Sequence, residues 1–181
     1  MSNSTVPMPA DDGLPEMLAK HQIREVLSRY ARAIDRGDGE LLRTCYHPDA
    51  VEEHAGNYAG NAMIYIDQAI PRVLKMAPMQ HLLGSAYIEL DDDDAAAETY
   101  VWTMARLIRD GVSWDTFTGG RLLDRFQRRN GSWKILHRKT IFDWNRDVLS
   151  AEGWALGMFK PGKSGMLQGC KGPGDPSYEI L

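Results

Sequence analysis

Cysteine is scarce in this chain of 181 residues. Cys45 and Cys170 form neither a CxxC pair nor a disulfide framework, which argues against a structural zinc site and fits a reducing cytoplasm. Excess charge of one sign is also missing: 21 Lys and Arg stand against 25 Asp and Glu, for a net charge of −4. Nucleic acid is therefore a poor candidate partner, because no basic surplus exists to neutralise phosphates. No apolar run approaches the ~20 residues that span a bilayer, so no membrane segment is expected. The polar N-terminus lacks a basic stretch followed by an apolar one, so no signal peptide is visible and a cytoplasmic location is expected. GxGxxG, P-loop and GxSxG patterns are absent, which leaves nucleotide cofactors and a serine nucleophile without support. The five histidines, His21, His47, His54, His81 and His137, form no helical i, i+4 pair and no short cluster with cysteine or acid. No metal and no other cofactor is expected.

What is present is the composition of one globular domain, 43% hydrophobic and 25% charged. Met1–Asp12 reads as a disordered arm. In Leu14–Ile34, Ile23, Val26, Leu27, Tyr30, Ala31 and Ile34 recur every three or four residues, which is one face of a helix. Gly37 supplies its stop. A short helix over Glu40–Cys45 ends at His47–Pro48–Asp49, and Ala50–Ala55 suits a short strand. Asn61 then opens a third helix, in which Pro71 predicts a kink or a break.

The period changes in the second half. Met79–Leu90, Ala95–Arg109, Trp114–Arg128 and Ser132–Trp144 are rich in β-branched and aromatic residues. Asp110–Gly111, Asn130–Gly131 and the run Asp91–Asp94 separate them as turns. Four antiparallel strands of about twice the usual length imply strong curvature or bulges, with Gly119–Gly120 as a candidate bulge. Asn145–Leu156 suits a short helix, and Gly157–Leu181, with six glycines and three prolines, reads as a tail. Helices followed by a curved antiparallel sheet make an α+β domain. A sheet bent around one long helix forms a cone whose apolar interior suits a small molecule.

The stretch from Ile23 through Tyr30 and Asp35 to Asp38, and Leu41 to Ala50, resembles the SnoaL-like branch of the nuclear transport factor 2-like superfamily. So do Gln80–His81 at the start of a long strand and Gly131–Ile135 at the start of the last one. The resemblance spans about Leu14–Trp144 and implies the cone-shaped α+β barrel, here 13–145. Residues 146–181 would then be an extension that caps the pocket or joins an oligomer. It further implies an Asp–His dyad, Asp35 and His81, like that of dehydrochlorinases, scytalone dehydratases and bile-acid dehydratases. Arg138 matches a pocket arginine of the dehydrochlorinases. Tyr30 and His54 fall at positions of pocket tyrosines in the bile-acid dehydratases. The chain departs from scytalone dehydratases in having no histidine in Ala95–Arg109. Candidate substrate contacts are His54, Trp102 and Leu83, and the resemblance implies a homotrimer.

The residues themselves point the same way. By alternation His81 shares its strand face with Met79, Leu83, Ser85 and Tyr87, a mostly apolar surface that disfavours imidazolium and keeps a base neutral. A neighbouring carboxylate would orient the ring and stabilise it once charged. Asp35 near a helix C-terminus opposes the dipole, which favours a specific partner inside the cone. Tyr30 lies on the helix's apolar stripe, either as a core tyrosine or as a pocket hydroxyl. Arg138 alternates with Leu136 and Thr140 rather than Ile135 and Ile141, so it is either an exposed strand arginine or an anion-binding group. The expected function is a cofactor-independent lyase acting on a bulky aromatic or polycyclic molecule. Alternatives are a carbon–carbon-cleaving, deformylating lyase on lignin-type diaryl compounds, an isomerase or polyketide cyclase, and a non-catalytic subunit of a ring-hydroxylating dioxygenase.

Overall fold

The first helix, α1 (Leu14–Arg36), buries Ile23, Val26, Leu27, Tyr30 and Ile34 on one stripe, together with Asp35. The structure is a computed structural model that describes residues 13–54, 56–163 and 165–180; the expected disordered arm lies outside them. Gly37 ends α1 in the left-handed region at φ 69°. Its N–H reaches the Ile34 carbonyl, and the Asp38 N–H reaches Ala33, the pattern of a Schellman cap. Asp38 caps α2 (Gly39–Thr44), and Asn61 caps α3 (Ala62–Val73) by accepting from the N–H groups of Met63 and Ile64. Pro71 does not break α3. It lies one turn from the end, and the Leu74 N–H still closes on the Ile70 carbonyl at 2.9 Å.

The strands are β1 (Tyr46–His54), β2 (Tyr58–Asn61), β3 (Met79–Asp91), β4 (Asp94–Arg109), β5 (Val112–Arg129) and β6 (Ser132–Leu149). Asp110–Gly111 and Asn130–Gly131 make both later hairpin turns with positive φ at both residues. The expected helix after Trp144 is instead the end of β6. β5 extends far enough to pair Trp114 with Leu149, so the ladder continues. His47–Pro48–Asp49 likewise lies within β1, at the point where its register on β6 shifts. That irregularity accommodates a proline that cannot donate to a ladder.

The sheet order is β2-β1-β6-β5-β4-β3. All neighbouring pairs are antiparallel except β1 with β6, which is parallel. The sheet is curved and unclosed, with α1 across its inner face. Three irregularities decide which side chains point inward. Between Leu83 and Ala86 the β3–β4 register slips, so Ile88 is buried while Tyr87 is 68% exposed. The alternation expected for His81 therefore stops at Leu83. On β6, an extra residue at Leu136 brings Trp133, Ile135 and Arg138 all inside. A second extra residue, Asp143, sits opposite Gly119–Gly120. A Cβ on Gly120 would collide with the Ile141 carbonyl, so the close approach there requires glycine.

Candidate active site

Asp35 occupies the last turn of α1 and is 6% exposed. Its two carboxylate oxygens take different groups of one residue. The His81 backbone N–H donates to Oδ2 at 2.9 Å, and His81 Nδ1 lies 2.7 Å from Oδ1. The contact assigns the Nδ1 proton to the side facing Asp35, which leaves the lone pair of Nε2 toward the interior. A backbone bond as well as a side-chain bond fixes the carboxylate against β3, so Asp35 stays in place to orient the ring.

His81 faces a cavity of about 120 Å³ lined by Tyr30, His54, Val101 and Thr103, with Leu122, Ile141 and Phe142 among the other walls. Thr118 and Thr140 add hydroxyls. Tyr30 sits edge-on to His81, with ring centroids 6.5 Å apart. Burial pushes its phenol up to about 12, with Arg138 pulling the other way, so Tyr30 is a neutral donor throughout the physiological range. A volume of this size is comparable to one that holds a benzene ring, about 150 Å³. The enclosed space takes one ring of the expected aromatic or polycyclic molecule.

Other expected site residues fall elsewhere. Arg138 is on the inner face but outside the cavity lining, and it is wholly buried. Its Nε and Nη2 each donate to Asp124 at 2.7 Å, while its guanidinium lies 4.0 Å from the Tyr30 ring centroid. Burial works against the Arg138 charge, but Asp124 and the neighbouring phenols Tyr46 and Tyr30 hold it well above its ordinary value. Burial raises the Asp124 carboxyl, and Arg138 opposes that rise. The arginine thus sits behind Tyr30, paired with Asp124 and off the cavity lining, with Nη1 left without a hydrogen-bond partner among the described residues. Trp102 is on the outer face, 60% exposed, because Val101 and Thr103 take the inward positions of β4. There it meets Trp144 edge to face at 5.2 Å. Leu83 packs on the core beside Val101, outside the cavity lining. His54 does line it.

The C-terminal segment folds back along α1. Arg36 donates to the Cys170 carbonyl and Asp175, Arg32 donates to Ser177, and the Tyr178 hydroxyl donates to Asp38. Glu152, Trp154 and residues 166–171 form one wall of a cleft of about 750 Å³, with Asp35, Met79 and Met104 opposite. Among the described residues, no three His, Cys, Asp or Glu side chains cluster closely enough to hold a metal ion, and no helix is long and apolar enough to cross a membrane.

Sequence reasoning missed two buried acids, Glu52 and Asp124. For Glu52 a signal existed in the alternation Ala50, Glu52, His54 along β1, where Ala50 is the apolar member of the inward face. For Asp124 the inward position follows only from the register of β5.

A family model described as the SnoaL-like domain matches residues 15–139. The chain belongs to this SnoaL-like family. Solved structures similar to this SnoaL-like protein carry the same fold. A type 2 LinA, a hexachlorocyclohexane dehydrochlorinase, superposes with TM-score 0.70 at 15% identity, covering 83% of this chain and 99% of that one. A scytalone dehydratase-like protein of Novosphingobium aromaticivorans DSM 12444 gives 0.66 at 15% identity, covering 75% and 91%. An aromatic ring hydroxylase-like protein from Novosphingobium aromaticivorans gives 0.65 at 19%, covering 73% and 94%. A comparison with curated proteins gave no match.

Proposed function

We propose that the protein is a cofactor-independent lyase that performs an elimination on a small apolar molecule with one ring in the inner cavity. The observation that carries the reading is the Asp35–His81 pair, 2.7 Å apart, with His81 lining an otherwise mostly apolar cavity. Membership of a family whose structural neighbours include a dehydrochlorinase and a dehydratase-like protein supports catalysis. His81 Nε2 removes a proton from carbon. The C–H electrons form a C=C bond, and the leaving group departs from the adjacent carbon with its electrons. Asp35 stabilises the imidazolium through Nδ1. Tyr30, protonated and at the cavity wall, donates a hydrogen bond that orients the substrate.

The test substrate is 2-(4-nitrophenyl)ethyl bromide, whose single ring suits the cavity and whose product, 4-nitrostyrene, is followed by absorbance. The intact protein should accelerate elimination, and His81→Ala should lose about 10²–10⁴-fold, the usual worth of a general base. Undiminished turnover in a folded His81→Ala protein would sink the mechanism.

A further inference from the structure

The cavity holds a second histidine backed by a buried acid. In the sheet order, β1 and β3 are separated by β6, β5 and β4, yet curvature brings His54 of β1 and His81 of β3 to the same cavity. Glu52, 0% exposed, lies behind His54 with Oε1 3.5 Å from Nδ1. Glu52 Oε2 accepts from the Tyr46 hydroxyl at 2.9 Å, whereas Oε1 is buried without a hydrogen-bond partner. A buried carboxylate oxygen left in this state is costly, and it points to a positive or proton-bearing group within reach.

His54 differs from the histidines that serve structure. His47 Nε2 is 2.9 Å from the Gln127 carbonyl, and His137 Nε2 is 2.7 Å from Glu53. Around His54, all contacts gather loosely on Nδ1: Tyr65 at 3.3 Å and Thr140 at 3.5 Å besides Glu52. Tyr65 stacks on the ring at 5.4 Å and Phe142 meets its edge at 6.0 Å, which holds its plane. Nε2 has no hydrogen-bond partner among the described residues. Burial pushes up the phenols that face this corner, Tyr30, Tyr46 and Tyr65. They are neutral there, and the nearest fixed charges are Glu52 and the Arg138–Asp124 pair.

We propose that His54, oriented by Glu52, is the proton donor to the leaving group, set across the cavity from His81. The proposal rests on the elimination reading and supplies its acid. As His81 takes the carbon-bound proton and the C–X bond breaks, the proton on His54 Nε2 passes to X. The products are an alkene and HX. His81 is left protonated and His54 one proton short, and exchange with solvent restores both.

A pair of substrates isolates this step. Bromide leaves readily without a proton, whereas fluoride needs one. His54→Gln and Glu52→Gln should each cut elimination from 2-(4-nitrophenyl)ethyl fluoride by about 10²-fold or more beyond whatever loss the same change causes with the bromide. Tyr30→Phe should lower both alike. Equal losses on fluoride and bromide in His54→Gln would overturn the proposal. A second measurement does not depend on turnover. The intact protein should bind 4-nitrophenolate, a stand-in for the departing anion, in preference to nitrobenzene, and His54→Gln should erase that preference. Should both halides prove inert with the intact protein, the elimination reading falls and the donor role with it, while His54-dependent phenolate binding would show that His54 alone is poised toward an anion. Equal phenolate binding by the intact protein and His54→Gln would reject the donor role. His54 is partly exposed, so its variant is measurable even where Glu52→Gln fails to fold.

Discussion

Removing one partner of the Arg138–Asp124 pair should be among the most damaging single changes in this protein. Both side chains are 0% exposed and share two hydrogen bonds of 2.7 Å. Asp124→Asn keeps the shape but leaves a guanidinium without its countercharge. Breaking a buried pair from one side typically costs about 3–5 kcal/mol. For a chain of this length, where each kcal/mol moves Tm by about 2–4 °C, the melting temperature should fall by about 6–20 °C. The double change Asp124→Leu with Arg138→Met removes both charges together, and such replacements are often neutral or stabilising by about 1–4 kcal/mol. Here part of that gain is offset. Tyr30 and Tyr46 lose the cation near their rings, at 4.0 and 5.9 Å, a contact worth about 0.5–2 kcal/mol. The double variant should still be clearly more stable than Asp124→Asn. With the single changes Asp124→Leu and Arg138→Met added, urea and thermal melts followed by tryptophan fluorescence complete the double-mutant cycle, with a strongly non-additive result expected. A single variant within about 1 kcal/mol of the parent, or simple additivity, would refute the reasoning and return Arg138 to the role of an anion ligand.

Two further outcomes follow from the surface. Asp175 is held down to about 2 from its ordinary 3.8 by the Ser177 hydroxyl, the backbone N–H groups of Cys170 and Ser177, and Arg36. The unfolded carboxyl binds its proton more readily, so this contribution is complete above about pH 4 and disappears as pH falls through 2. Protection of residues 168–180 against hydrogen exchange, taken relative to the unprotected rate at each pH, should therefore fall between pH 4 and pH 2 in the parent and show no such step in Asp175→Asn; identical profiles would contradict the anchor. On the outer face, Leu82, Tyr100, Trp102 and Trp144 are all exposed, an apolar patch that a further copy of the chain would cover. Light scattering should report a homotrimer that Trp102→Glu dissociates, and a monomer at micromolar concentration in the parent would contradict it.

Much of the architecture was legible because local chemistry agreed with the global fold. The Asp110–Gly111 and Asn130–Gly131 turns demand positive φ and so located two hairpins, and Asn61 marked the start of α3. The Asp35–His81 pairing was legible from the family resemblance, and the place of Asp35 at the end of α1 agreed with it. Facing directions inside the long strands were not. Arg138 reads as out of phase with Ile135 until one extra residue, Leu136, restores it to the interior. That bulge is decided by packing against β5 rather than by β6 alone. Trp102 misled for a related reason: a large aromatic suggests a pocket, but Val101 and Thr103 hold the inward sites. The end of β6 read as helical because its pairing partner lies some 30 residues earlier, beyond any local pattern.

The tail's grip on α1 ties the last turn of that helix, where Asp35 sits, to a part of the chain outside the matched region. The matched region stops at residue 139, yet Arg32, Arg36 and Asp38, which flank Asp35, are held by Ser177, Asp175 and Tyr178. The Lys171 ammonium also approaches the Asp35 carbonyl at 3.4 Å. Changes at Lys171, Asp175, Ser177 or Tyr178 thus bear on the last turn of α1 with no substitution in Asp35 or His81. The Asp35–His81 contact is made at the junction of α1 and β3, and the outer side of that junction is supplied by the tail.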